Sequence, residues 1–382
     1  MEVKTSYFRQ IDSLRAYAVL SVIIFHWFAK DSWINKLPNG SIGVTLFFVI
    51  SGFLVSRILM IARNRIENNE RSFREEYRDF LVRRALRIFP LYYGILFGVY
   101  ALNKFAHIRI ETDFFEHPLY YLFYLYNHYL DSTGNWQDLL SPFWSLSVEE
   151  QFYVVWPLLL LLIPAKHQPY LALAAIAVGL VSRVILALSA TGSDGLATIY
   201  CLDAFGIGAV FAYLFTNSKD TVESVDKRSK QLLVIGLLLF IPCQLMDPQS
   251  WFVLVFKRFS IAAVSMYFVC GASLGFKGIF GRVLNSPVLI YIGKISYGLY
   301  VFHMLIPSVF VPRLLTYTPS RISQFITSSQ AIYISFCFIF LMVLASLSWY
   351  LFEKRFTDLK KYFDYKRASG NEISSTSRVP VK

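Results

Sequence analysis

Long apolar runs alternate with short polar connections along most of the chain. The apolar stretches fall near residues 11–29, 42–61, 88–104, 146–164, 170–190, 197–216, 231–247, 258–276, 288–310 and 331–352. Each is close to the roughly 20 residues that a helix needs to cross about 30 Å of hydrocarbon, so the pattern predicts ten transmembrane helices. The segment PLYYLFYLYNHYL, residues 118–130, breaks the series. It is short, tyrosine-rich and carries Asn127 and His128, which predicts a helix that lies on the membrane or dips into it.

The placement of Lys and Arg sets the orientation, because connections held inside the cell carry the cations. With ten spans and an inside N-terminus, the loop 62–87 carries Arg63, Arg65, Arg71, Arg74, Arg78, Arg83, Arg84 and Arg87 on the cytoplasmic face. Lys219, Lys227, Arg228 and Lys230, then Lys277 and Arg282, then Lys354, Arg355, Lys360 and Lys361 fall on that same side. Counting 118–130 as a span would invert everything after it. Both termini are therefore expected in the cytoplasm, with one membrane domain over 1–352 and a basic, disordered tail over 353–382.

Composition agrees with the pattern. Of 382 residues, 55% are hydrophobic and 16% charged, with mean hydropathy +0.48, whereas a soluble domain is about a quarter charged. The net charge of +12 follows from cationic loops facing anionic lipid and requires no nucleic-acid partner. Cys201, Cys243, Cys270 and Cys337 lie in or beside spans without metal-ligand spacing, and read as small core residues. The first apolar stretch contains Arg15 and His26 and lacks a small-residue cleavage site, so it reads as a retained helix. No P-loop, GxSxG or dinucleotide fingerprint occurs, and no internal repeat of the transporter kind.

Ionisable groups inside the spans carry the candidate chemistry, since a charge in hydrocarbon is costly unless paired, hydrated or used. Arg15 and His26 are eleven residues apart, about three helical turns, so they share one face of the first helix roughly 16 Å apart. Snorkelling of Arg15 and a helix-to-helix bond from His26 is the plain alternative. Arg83, Arg84 and Arg87 cluster at the mouth of the third helix, and Arg84 with Arg87, at i and i+3, suits bidentate phosphate binding as well as headgroup anchoring. Gly40, Gly43, Ser51 and Gly52 signal close packing of the second helix, as do the GxxxG pairs Gly94/Gly98 and Gly271/Gly275. In FWSLSVEEQFYVVWP, Ser147 and Glu150 fit a capping box, which leaves Glu149 without a structural task. His303, in ISYGLYVFH, falls in a span that otherwise looks like core.

Five stretches in order, IDSLRAYAVLSVIIFHW, GVTLFFVISGFL, RRALRIFPLYY, FWSLSVEEQFYVVWP and ISYGLYVFH, resemble the acyltransferase 3 family of multi-pass membrane O-acyltransferases, over residues 7–352. The resemblance implies an all-α membrane enzyme in which His26 is catalytic, Arg15 accompanies it, and Arg84 and Arg87, with Arg83 beside them, bind the acyl donor. It further implies transfer of an acetyl group from cytoplasmic acyl-CoA, as substrate rather than bound cofactor, to a hydroxyl of an O-antigen, exopolysaccharide or similar glycan at the cell (inner) membrane. Many members carry Asp where this chain has Thr45; if that Asp orients the His, the role here passes to another group such as Glu149, which could orient His26 or the sugar, or is absent. Tyr120, Tyr121, Tyr124, Tyr126 and Trp136 are expected to offer flat faces to a sugar. A transporter or flippase of a lipid-linked glycan is the alternative from another class.

Overall fold

The computed structural model describes residues 7–189, 193, 195–216 and 221–363. Among them every regular element is helical. In chain order these are α1 Arg9–Trp27, α2 Asn39–Glu67, α3 Phe73–Ala106, α4 Pro118–Leu122, α5 Tyr126–Thr133, α6 Phe143–Leu162, α7 Gln168–Ser189, α8 Leu202–Thr216 and α9 Val222–Leu245. They continue as α10 Trp251–Leu274, α11 Gly278–Leu284, α12 Pro287–Lys294, α13 Ser296–Phe302, α14 Val311–Thr316, α15 Ser320–Thr327, α16 Gln330–Ser348 and α17 Lys354–Asp358.

Each of the ten apolar stretches is helical. Among the described residues, eight helices are long and apolar enough to cross a membrane. The ninth stretch is broken: Ser296–Phe302 and Ile306–Thr316 meet at 47° around a π-helical turn. The remaining one, α1, is diluted by Asp12, Arg15 and His26. The protein is an all-α integral membrane protein. Lys219 and residues 364–382 of the expected tail lie outside the described residues, and 354–363 continue as helical turns.

The core is built on α2, which packs along α8 on one side and α1 on the other. Gly52 faces the backbone of Phe205, and Gly208 faces the backbone of Val49 and Phe53, so closely that a Cβ at either position would collide with main chain. The close packing expected at Gly52 is thus present. The GxxxG pairs do not pair helices: Gly94 and Gly98 meet no neighbouring backbone, Gly271 packs against the ring of Phe276, and Gly275 ends α10 with φ 86°.

Residues 118–130 do not cross the bundle; they fold into the short helices α4 and α5. The buried carboxylate of Asp138 organises this cap. It accepts the hydroxyls of Tyr121 and Tyr126 and the backbone amides of Asp113 and Leu140, the last at 2.6 Å. Burial, and then the Asp138 charge, push the Tyr121 and Tyr126 phenols above their usual range, so both remain donors. Tyr121, Tyr124 and Tyr126 are buried, and Tyr121 stacks on Tyr126 at 4.3 Å. They are core aromatics. Of the five residues expected to face a sugar, Tyr120 and Trp136 are exposed.

Candidate active site

The start of α6 decides how the adjacent glutamates are used. The helix begins at Phe143, with Pro142 at the N-cap, one turn before Ser147. Ser147 is therefore interior, and its hydroxyl donates back to the Phe143 carbonyl at 3.1 Å. The expected capping box does not form, because the apolar Phe143 and Trp144 already belong to the helix and are buried with it. Glu150 is released from that task. It is 7% exposed, and its Oε1 has no hydrogen-bond partner among the described residues.

Glu149 and Glu150 both line a cavity of about 90 Å³ enclosed by α1, α2, α3, α6 and α13. Arg15, Arg84 and Arg87 line the same space. The i, i+3 face expected on α3 is therefore the face turned inward. Arg84 is held by aromatic rings, with its guanidinium carbon 4.9 Å from the Tyr153 centroid and 5.5 Å from that of Phe80. Arg15 donates to Asp12 at 2.5 Å, and Asp12 also accepts the Tyr7 hydroxyl. Glu149 accepts the Ser51 hydroxyl at 2.8 Å, with Tyr153 2.9 Å from the same oxygen of Ser51. Three cations and two carboxyl groups thus face one membrane-embedded space.

Two predicted members lie elsewhere. Arg83, next to Arg84 and so turned about 100° around the helix, donates to the Phe363 carbonyl and ties α3 to the C-terminal turn. His26 does not line the cavity. Its neighbours are Phe25, edge-on at 5.0 Å, and the ring of His303 at 5.1 Å. The expected contact between Glu149 and His26 is absent, and the carboxylate is engaged by Ser51 instead. Thr45 is buried in α2.

The link between His26 and the cavity is α13. Tyr300 lines the cavity, bonds the Ser145 hydroxyl at 2.6 Å and donates to the Pro142 carbonyl at 3.1 Å. One turn on, the His303 ring lies 5.6 Å from the Tyr300 ring and contacts His26. Ser51, Tyr153, Tyr300 and His303 are the participants that the sequence reading left in the core. For the last two the signal was present: they stand at i and i+3 in ISYGLYVFH. Among the described residues no group of three or more His, Cys, Asp or Glu side chains is placed to hold a metal. The four cysteines are buried and free.

The chain matches the family model of an acyltransferase domain, acyltransferase 3, over residues 8–353. The chain belongs to the acyltransferase 3 family. A peptidoglycan O-acetyltransferase of Listeria monocytogenes is 30% identical over 338 residues, covering 80% of this chain and 50% of the relative. A Bacillus subtilis protein provisionally named a peptidoglycan O-acetyltransferase is 29% identical over 328 residues, 78% and 49% of the two chains. Staphylococcus aureus O-acetyltransferases, also provisionally named, are 26% identical over 332 residues, 80% of this chain and 51% of theirs. The chain spans about half the length of the curated relatives it matches. No solved structure is significantly similar to it.

Proposed function

We propose that this member of the acyltransferase 3 family is a membrane O-acetyltransferase that moves an acetyl group from acyl-CoA to a hydroxyl of a cell-envelope glycan. The observation that carries the reading is the convergence of Arg15, Arg84 and Arg87 with Glu149 and Glu150 on one cavity inside the bundle. Arg15 is paired with Asp12, whereas Arg84 and Arg87 have no carboxylate ion-pair partner among the described residues and would take the phosphates of CoA by charge-assisted bonds. The Arg-rich end of the bundle would face the cytoplasm, where acyl-CoA is made, and the α4–α5 cap the outside.

In this mechanism the acceptor hydroxyl oxygen attacks the thioester carbon, the C–S bond breaks, and CoA leaves as a thiolate that is then protonated. His26 takes the hydroxyl proton as general base. Arg15 offsets charge on the donor, and Glu150, without a partner in the free protein, would bind the acceptor. The two O-acetyltransferase relatives named for peptidoglycan favour a peptidoglycan-type glycan as acceptor.

The test is acetyl transfer by purified protein in proteoliposomes supplied with radiolabelled acetyl-CoA and peptidoglycan fragments. Wild type should label the glycan, and His26→Ala should lower the rate by about 100-fold or more, the usual contribution of a general base. Movement of intact substrate across the vesicle without labelled glycan would overturn the reading in favour of transport.

A further inference from the structure

His303 is fully buried, yet only one of its ring nitrogens has a partner. Nδ1 lies 2.6 Å from the Tyr300 carbonyl, which can only accept, so Nδ1 carries the proton. That fixes the neutral tautomer and leaves Nε2 as a bare lone pair, buried and unpartnered. The backbone around it is clamped: the His303 amide donates to Leu299 at 3.1 Å, and the Trp27 indole donates to the His303 carbonyl at 2.9 Å. Trp27 is the residue after His26, so this bond also ties the end of α1 to α13. The His26 and His303 ring centroids are 5.1 Å apart, with planes at 55°. With each ring nitrogen about 1 Å from its ring centre, that separation leaves the ~3 Å of one N–H···N bond between facing nitrogens.

We propose that His303 is the positioning residue of His26: its Nε2 accepts the N–H of one His26 nitrogen, leaving the other His26 nitrogen unprotonated toward the acceptor hydroxyl. The inference rests on the assignment of His26 as general base. It supplies what the Ser51-engaged Glu149 does not, a fixed acceptor for the inactive side of the ring. When His26 takes the hydroxyl proton, the resulting imidazolium has its second N–H already bonded to His303. No proton leaves the pair until the acetylated product departs and His26 returns its proton to solvent or to the CoA thiolate.

Two conservative variants separate positioning from packing. His303→Gln places an amide acceptor where Nε2 stands, whereas His303→Asn reaches only as far as Nδ1. The Gln variant should keep most of the wild-type kcat, and the Asn variant should lose on the order of tenfold or more with the donor KM unchanged. The acid limb of the kcat/KM profile should move to lower pH by about half a unit or more in the Asn variant, because the imidazolium loses its acceptor. Lys30, whose charge reaches His26, is common to all variants. Histidine nitrogen NMR of the substrate-free protein gives a readout independent of turnover: wild type should show His26 in one tautomer, and His303→Asn a mixture. Equal kcat and identical acid limbs in the Gln and Asn variants, or an unchanged His26 tautomer, would overturn the inference. Retained transfer in His26→Ala would instead overturn the base assignment beneath it.

Discussion

Glu149 and Glu150 are neighbours in sequence and line one cavity, but their surroundings predict opposite responses to neutralisation. Glu149 already accepts a bond from Ser51. Glu149→Gln keeps an oxygen for that hydroxyl but loses the charge-assisted part of the bond, the difference between ~1.5–3 kcal/mol for a charged acceptor and ~1 for a neutral one. The substitution should therefore lower stability by about 1 kcal/mol and kcat by about fivefold or less. Glu150 Oε1 has no hydrogen bond to lose among the described residues. Glu150→Gln removes a buried, unpaired carboxyl group, so thermal stability should stay level or rise. If the reacting complex is where Glu150 finds its partner, that partner is worth ~1.5–3 kcal/mol as a charge-assisted bond, and kcat should fall by about 10- to 150-fold. The assay is the initial rate of glycan acetylation in proteoliposomes, normalised to monodisperse protein, beside unfolding followed by tryptophan fluorescence. Wild-type kcat in Glu150→Gln together with raised stability would refute the reasoning and reduce Glu150 to a buried liability. A larger kcat loss at Glu149 would show the roles to be exchanged.

Arg84→Ala and Arg87→Ala should each raise the KM for acetyl-CoA by about tenfold or more, added salt should mimic part of the loss, and the Lys variants should recover it only partly because an ammonium lacks the bidentate fork. An unchanged donor KM in the double variant would reduce both residues to topological anchors. Asp138→Asn presents an amide to the hydroxyl and amide donors now bound by one carboxylate, at ~1–3 kcal/mol for a buried donor left unmatched. Limited proteolysis should then cut within residues 107–141 sooner than in wild type, and equal cleavage rates would refute the organising role of Asp138.

The sequence reading reached the helices and one face of the site, and its failures have distinct physical causes. Apolar length located eight helices long and apolar enough to cross a membrane and a bent ninth, with α1 helical but too polar to count, and the i, i+3 spacing of Arg84 and Arg87 placed them on one face because helical geometry leaves little choice. The capping box at Ser147 failed because the S-x-x-E pattern does not register that Phe143 and Trp144, one turn earlier, have a core to enter. Tyr121 and Tyr126, expected to face a sugar, are buried for a similar reason: nothing local reveals that Asp138, across a loop, will draw their hydroxyls inward. The GxxxG pairs failed because the motif states which backbones can meet, not which do. His26 and Glu149, expected to meet, are linked through α13, whose Tyr300 lines the cavity and is followed by His303 against the His26 ring. A long-range arrangement of this kind leaves no mark in one helix's own periodicity.

The glycine contacts between α2 and α8 have a mechanical consequence. At Gly52 and Gly208 the spacing of the two helices is set by main chain resting on main chain, with no compliant side chain between them. Such a joint is stiff under compression. Ser51, the residue before Gly52, sits on that joint and bonds Glu149 across the cavity. When a thinner or thicker bilayer tilts the outer helices, the strain should be taken up by the softer side-chain contacts at the periphery. The wall formed by Ser51 and Glu149 should then keep its dimensions, so that acetylation rate varies little with the acyl length of the host lipid.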